Sequence, residues 1–553
     1  MEKDILLKRL LRTSLFLSFL LLFVVAIMSP RVAFASGETF PAGHWAYDVI
    51  EQLVVRGHLK SLNDAARPFE RVDVARALLE SDKTEIKDRQ TLWLFLKLED
   101  ELDTELGWLR DEVFPASAVK VAVRLEEAMN KTENTNYSPK FRGRGRLAFY
   151  FGEDFVIYNA SVLQQKNFYD AITQTRTYGS STGYTEQAFA AYHGKLLRVK
   201  IGRDYLDWGY GRNSLIVGKN AGSLDQIFLQ LNTKPVRFTY FTAMLDPWNS
   251  TTNVLAPGTP STSVSIYDKI NRYFTAERLD LNLFDSNVRL GIWQGVVYGG
   301  KNQPIDFRFA NPFLIYYGEE FNKSTEVNPL VGADLSVFPY EGLNVYASLV
   351  IDDWQMDNKS QQDLEPNEWG GIIGVRASNV LRGFDIYGTD AFIEFSKVTN
   401  RTYNQRTGFA YQKMLFGNNP IAHPLGTDFQ SVEMGVSHWL YKELRLSASF
   451  KMIDKGEGNL QVWTEPWMDT TATGAYKYNL KDGYDESSPT GVVERTRALT
   501  IGAFYQPNSS INAELDFTTV WRRNVGHVAG VTDKEFQVFL RVMVELQPVF
   551  NLF

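Results

Sequence analysis

From Ala118 to Leu546 the apolar residues of this chain recur at every second position. Val119, Val121, Val123 and Leu125 alternate with Lys120, Arg124 and Glu126, and Leu197, Val199 and Ile201 with Arg198 and Lys200. Leu444, Leu446, Ala448, Phe450 and Met452 alternate with Arg445, Ser447, Ser449 and Lys451. Ile511, Ala513, Leu515 and Phe517 do so with Asn512, Glu514, Asp516 and Thr518, and Phe536, Val538, Leu540, Val542, Val544 and Leu546 with Gln537, Arg541 and Glu545. Successive side chains of a strand point to opposite faces, so each run reads as a strand with one apolar and one polar face. A soluble sandwich alternates too, and the connections decide between them. Short ones, near 152, 193, 232, 284, 339, 381, 441 and 507, take turns with longer stretches, mostly polar and aromatic-bearing. The longer ones are 167–183, 204–224, 246–268, 300–326, 355–367, 398–426, 456–492 and 523–532, with one more following the first strand. Eight short turns and nine loops join eighteen strands. About 435 residues then leave roughly 24 per strand and connection, which suits tilted membrane strands with uneven loops.

This asymmetry is what an outer-membrane β-barrel requires. No water is available at membrane depth, so every backbone polar group must be paired and the sheet must close. The expected fold is all-β transmembrane: an antiparallel barrel of about eighteen strands over residues 116–553, with both chain ends on the periplasmic side. A periplasmic β-sandwich is the alternative. At the C-terminus the last strand's apolar face falls on even numbers, yet the final Phe553 is odd and Pro548 intervenes. Either a bulge at Pro548 resets the register or the tail beyond Leu546 leaves the sheet.

The N-terminus reads differently. Lys3, Lys8, Arg9 and Arg12 precede an apolar run from Leu15 to Ile27, and Ala33-Phe34-Ala35 fits a small-x-small cleavage site. Residues 1–35 therefore read as a secretory signal peptide. Residues 36–115 read as a helical periplasmic head of three amphipathic helices. Tyr47, Ile50, Leu53 and Val54 share one face, Val72, Ala75, Leu78 and Leu79 a second, and Leu92, Phe95, Leu98, Leu102, Leu106 and Leu109 a third. His44-Trp45-Ala46, Gly57 and Pro68-Phe69-x-Arg71 resemble one S-layer-homology repeat, which would bring peptidoglycan in as a partner. The simpler reading is a bundle that packs under the barrel.

Composition narrows the chemistry. The net charge is −7 and acids and bases are mixed, which argues against a nucleic-acid partner, in spite of the stretch FRGRGRLAFYF at 141–151. There is no cysteine, which removes disulfides, thiolate metal sites and cysteine nucleophiles. The six histidines fall in no metal-ligand spacing, and the chain has no G-x-S-x-G elbow. Gly209 and Gly211 lack the third glycine of a dinucleotide loop. No cofactor and no catalysis are expected.

Two kinds of position read as binding. Arg142, Arg144 and Arg146 form a ladder pointing into the barrel, with Lys200, Arg445 and Arg541 as additions. Inward acids at Glu126, Asp280, Glu433, Glu514 and Asp516 could neutralise it, or the ladder could await an acidic polymer. The outer loops carry the second kind, above all Trp463 and Trp467 in the 456–492 loop, whose indole faces could stack on sugars.

Several ordered motifs resemble the capsule assembly protein Wzi family. They are IGRDYLDWGYGRNSLIVGKNA at 201–221, FTAERLDL at 274–281, FANPFLIYY at 309–317, ASLVIDDWQ at 347–355, FIEFSKVTNRTYN at 392–404 and PLGTD at 424–428. Trp208-Gly209-Tyr210-Gly211 stands where the family usually reads W-G-P-G, which marks a distant member. The resemblance implies an eighteen-stranded outer-membrane barrel over a periplasmic bundle, holding exported capsular or exopolysaccharide at the cell surface, lectin-like and non-enzymatic. It points to Arg203, Asp204, Trp208, Asp352, Asp353 and Trp354 as ligand-binding positions. A diffusion porin for sugars or other small solutes, with a wall-binding head, is the alternative.

Overall fold

The computed structural model describes residues 37–111, 117–132, 139–152, 154–166, 168, 177–255, 263–323, 327–355, 364–475 and 477–551; the expected signal peptide and Phe553 lie outside them. Eighteen strands close into one antiparallel barrel. They are β1 (Ser117–Thr132), β2 (Pro139–Phe151), β3 (Phe155–Gln165), β4 (Ser181–His193), β5 (Leu197–Asp204) and β6 (Leu224–Asn232). Then come β7 (Val236–Met244), β8 (Ser263–Leu283), β9 (Val288–Lys301), β10 (Asn328–Tyr340), β11 (Leu343–Asp353) and β12 (Glu368–Ala377). The last six are β13 (Thr389–Val398), β14 (Phe429–Tyr441), β15 (Leu444–Lys455), β16 (Glu494–Tyr505), β17 (Ile511–Arg523) and β18 (Thr532–Leu546). Each strand pairs with its neighbour in sequence, and β18 closes on β1 with Leu546 opposite Val123. The eight short turns all fall at one end of the barrel and the long loops at the other, as the spacing predicts.

The alternation sorts chemistry as expected. On β1, Lys120, Arg124 and Glu126 are buried while Leu125 is 60% exposed. On β2, Arg142, Arg144 and Arg146 are buried while Phe141, Leu147, Phe149 and Phe151 face out. A closed sheet with an apolar outer belt has only lipid to cover that belt. Among the described residues no helix is long and apolar enough to cross a membrane, so the crossing belongs to the strands.

Neither expectation for the C-terminal tail holds. Val549–Asn551 continues the ladder against Ala118–Lys120 in the register of Leu546 with Val123. Val121 N donates to the Pro548 carbonyl (3.1 Å) across the gap. The proline removes one donor and shifts nothing, because its carbonyl still accepts. Parity is kept, and Phe550 takes an outward position.

Four helices precede the barrel: α1 (Ala46–Val55), α2 (Arg71–Glu80), α3 (Arg89–Glu101) and α4 (Asp103–Asp111). The long third helical stripe breaks at Leu102 into α3 and α4, and both halves keep it on the core, with Phe95, Leu98, Leu102 and Leu106 buried. Asp88 caps α3 by accepting from Thr91 N (2.7 Å), which satisfies one of the otherwise orphaned first-turn amides. Phe40, Val49, Leu53, Leu78, Phe95 and Leu98 form the bundle's core, which also takes in Trp439 from β14. Arg71, the arginine of the S-layer-like wording, is spent inside this core on Glu101 (2.7 Å) and Glu105 (2.6 Å).

The bundle is lodged in the short-turn end of the barrel. Inward residues of the strands and turns clamp it: Arg289 on Asp64 (2.5 Å), Arg198 on Asp73 (2.6 Å), Asp390 on Arg56 (3.0 Å) and Arg445 on Asp48 (2.9 Å). Gly342, with φ of 88°, turns the chain between β10 and β11 and donates its N–H to the Val55 carbonyl (2.9 Å). A side chain there would need a backbone conformation only glycine adopts freely.

From the long-loop end, residues 205–223 and 399–428 fold inward rather than outward. Leu206, Trp208, Ile216 and Val217 meet Tyr403, Met414 and Ile421, and both sets pack on the inner-wall residues Phe241, Phe274 and Trp293. Gly209 N donates to Ala65 O (2.7 Å), Gly218 N to Ile421 O (2.8 Å) and the Tyr403 hydroxyl to Leu215 O (2.8 Å). Inward loops and helical bundle thus join in one column. The inner faces of β15–β18 stand back from it, with Ser449, Thr500, Glu514 and Thr518 half-buried. A cavity of about 420 Å³ lies along this flank, lined by Asp48, Arg212, Lys219, Glu433, Lys451 and Arg541 among others.

Candidate functional site

The arginine ladder is occupied by its own carboxylates. Glu545, reaching in from β18, pairs with both Arg124 and Arg146. Glu186 takes Arg144 (2.6 Å), and Glu126 lies between Arg144 (3.4 Å) and Arg142 (3.6 Å). Arg142 also donates to Gln164 (2.9 Å) and covers the Phe168 ring at 3.8 Å. The further basic positions are paired as well: Lys200 with Asp204 (2.5 Å), Arg445 with Asp48 and Arg541 with Glu514. Guanidinium groups this deep need such partners, since an unpaired buried charge costs several kcal/mol.

Arg203, Asp204 and Trp208 are adjacent in sequence and separate in space. Arg203 points outward and forks onto Asp225 of β6 (2.9 and 2.7 Å). Asp204 is fully buried, accepting from Gln187 (2.7 Å) and from Tyr205 N (2.8 Å), which starts the inward loop. Trp208 is 1% exposed, edge-on to Phe241 at 5.1 Å, and its backbone N–H donates to Val217 O (2.9 Å). These contacts hold the inward column in place.

Asp352, Asp353, Trp463 and Trp467 gather at the long-loop end. Asp352 closes β11 facing inward and accepts from Tyr403 N, which fastens the 399–428 loop over it. Arg401, two residues earlier, forks onto Glu486 (2.6 and 2.8 Å), donates to Thr464 O (2.8 Å) and lies over the Trp467 ring at 4.7 Å. Trp467 is therefore buried. Trp463 is half-buried, its indole N–H donating to Glu465 (2.8 Å). Glu465 and Glu365 both hold Arg406, each at 3.2 Å, and the Arg406 side chain is 58% exposed. Burial pushes the Glu365 carboxyl above its usual range, and the Arg406 guanidinium opposes that shift. Trp354 follows Asp353 and is 53% exposed.

Arg406, Glu365 and Glu465 form the centre of this patch, and periodicity could not have found them because they sit in loops. The one sequence signal was the run 392–404, which ends beside them. The patch offers an aromatic face fixed by a hydrogen bond, two carboxylates, and a guanidinium open to solvent. That is the equipment for a sugar chain: C–H faces on the indole, hydroxyls on the charged groups. Elsewhere Glu70, Asp73 and His193 converge at metal-ligand spacing between bundle and barrel, but Arg198 already forks onto Asp73 (2.6 and 2.8 Å) and supplies the positive charge.

The family model described as capsule assembly protein Wzi matches residues 109–534. No curated protein matches the chain. Among solved structures the chain is similar to Wzi of Escherichia coli, described as an outer membrane protein involved in group 1 capsule assembly and a carbohydrate-binding β-barrel. The TM-score is 0.56 at 13% identity, over 89% of this chain and 96% of that one. Weaker likenesses are to two Pseudomonas aeruginosa proteins. OccD3 (OpdP) has a TM-score of 0.43 at 9% identity, covering 79% of this chain and 96% of that one. The outer membrane protein OpdK has 0.44 at 9% identity, covering 78% and 99%.

Proposed function

The chain belongs to the capsule assembly protein Wzi family and is an outer-membrane β-barrel, and on that footing we propose that it attaches exported capsular or exopolysaccharide to the cell surface without chemical change. The helical head then lies in the periplasm, beneath the short turns, and the long-loop patch faces the medium. The observation that carries this reading is the array of Trp463, Glu465, Arg406 and Glu365, in which the Arg406 side chain is 58% exposed and held between the two carboxylates, and the Trp463 indole is held by Glu465. Asp352, Asp353, Trp354 and Trp467 act in it as neighbours and supports. Arg203, Asp204 and Trp208 serve by keeping the column and wall in shape.

The test has a cellular and a molecular arm. Deleting the gene leaves polysaccharide secretion intact while the polymer drifts into the medium; arrested secretion would make attachment the wrong verb. In vitro, the detergent-purified barrel retards the polymer made by its own cell in affinity electrophoresis, and Trp463→Ala or Arg406→Ala weakens the retardation without altering the folded fraction. Unchanged retardation by both variants moves the binding surface elsewhere.

A further inference from the structure

The loop between β9 and β10 leaves the rim and turns down the outside of the barrel. Register fixes how far it goes. Reading up from the short-turn end, the outward positions of β7, β8 and β9 form rows: Phe238–Leu279–Ile292, then Tyr240–Glu277–Gln294, then Thr242–Thr275–Val296, then Met244–Tyr273–Tyr298. The lowest of these rows is aliphatic and aromatic and belongs to the lipid belt. Above it the wall turns polar, with a carboxylate at Glu277, where a membrane barrel should be most apolar.

Residues 302–323, including the short helix α5 (Tyr316–Lys323), cover that polar area. Gln294 donates to Glu277 and to Leu314 O (2.7 Å) and accepts from Tyr316 N (3.0 Å). The Tyr240 hydroxyl donates to Phe309 O (3.2 Å), and Asn271 and Tyr273 donate to Gln303 O (2.9 and 3.0 Å). Thr242, Thr275 and Tyr298 are buried beneath it. The segment's other side is apolar and uncovered: Phe307 is 61%, Phe313 76% and Ile315 69% exposed. Phe313 stacks on Phe238 at 5.8 Å with 13° between the planes, which joins it to the aliphatic row.

We propose that residues 302–323 form a flap embedded in the hydrocarbon of the bilayer, with Phe307, Phe313 and Ile315 against lipid acyl chains and the polar wall sealed behind it. Part of the backbone is suited to that position. Irregular chain at membrane depth must satisfy its own polar groups. Here Gln303, Ala310, Asn311 and Leu314 donate to nearby carbonyls, Arg308 and Phe313 to the side chains of Asp306 and Asn311, and Pro304 and Pro312 have no N–H. The Arg308 guanidinium is paired with Asp306 (2.6 Å) and Glu319 (3.1 Å), with its side chain 33% exposed.

The absence of cysteine makes the test clean. Single variants Phe313→Cys and Ile315→Cys carry a nitroxide label, and the full chain is reconstituted in phosphatidylcholine vesicles, with heat-modifiable gel mobility confirming folding. The flap predicts that both labels collide more often with oxygen, which concentrates in hydrocarbon, than with a water-soluble nickel chelate. A label on Phe384→Cys, in the short turn, shows the reverse. Nickel access at 313 and 315 equal to that at 384 overturns the proposal, because the flap would then stand in water. Spin–spin broadening that disappears on dilution with unlabelled protein also overturns it, assigning the face to a second copy of the chain.

Discussion

Glu545 shows what a single lumen residue is worth. It faces both Arg124 and Arg146, and all three side chains are nearly inaccessible. Glu545→Gln would leave two guanidiniums buried with no carboxylate between them, a loss of about 3–5 kcal/mol. Urea unfolding of the refolded barrel should show the midpoint falling accordingly. Arg203→Ala tests the opposite case, since its fork with Asp225 lies on the partly exposed outer surface and should cost about 0–1 kcal/mol. Arg203 looks like Arg124 and Arg146 in sequence, and only strand parity tells it apart from them. Parity was legible, so the inward direction of Arg142, Arg144 and Arg146 could be read from alternation alone. Of their partners, Glu126 was legible as an inward acid, and it lies against Arg142 and Arg144; Glu545 was not, since it is some four hundred residues from Arg146 along the chain and only closure of β18 on β1 brings it across.

Strands announced themselves, because a two-sided sheet writes its two environments directly into the residue order. Helices of the head did so for the same reason, except at Leu102, where the apolar stripe runs on although the backbone breaks. Loops gave no such signal. Leu206, Leu215, Ile216 and Val217 read as part of a surface connection and instead form the lumen's core; Phe313 and Ile315 read likewise and lie outside the wall. Composition records that a loop is apolar and not which side of the wall it prefers. Within the head, α3 carries a feature that pH can report. The Lys97 ammonium sits 4.4 Å over Trp93 and within 5.3 Å of Trp45 and Trp439, and its Nζ has no hydrogen-bond acceptor among the described residues. Burial, reinforced by the nearby Arg445 charge, pulls it down from 10.5 to about 7. The unfolded chain therefore holds this proton more tightly, and Lys97 makes the head more stable as pH rises from about 7 towards 10.5. Lys97→Met should remove that increment. The measurement is the difference between wild-type and variant melting temperatures, followed by tryptophan fluorescence across this range; a difference that does not change with pH would refute it.

At the scale of the whole molecule the bundle and the inward loops block the lumen. The intact protein should give no steady large conductance in a planar bilayer, and a large ohmic step would favour the porin alternative. Deleting residues 37–111 removes the bundle and its clamps on Arg289, Arg198, Asp390 and Arg445, and should convert the silent barrel into a noisy conducting one. The column that does the blocking also has a mechanical meaning. From Arg401 and Tyr403 at the outer patch, bonds run to Leu215, on through Trp208 to Ala65, and so into the helices. On the proposed function, a tug on polymer held at the patch would reach the helical bundle along this line of bonds. The wall strands surround it as a sleeve, and along β15–β18 a cavity rather than packed side chains separates that sleeve from the rod.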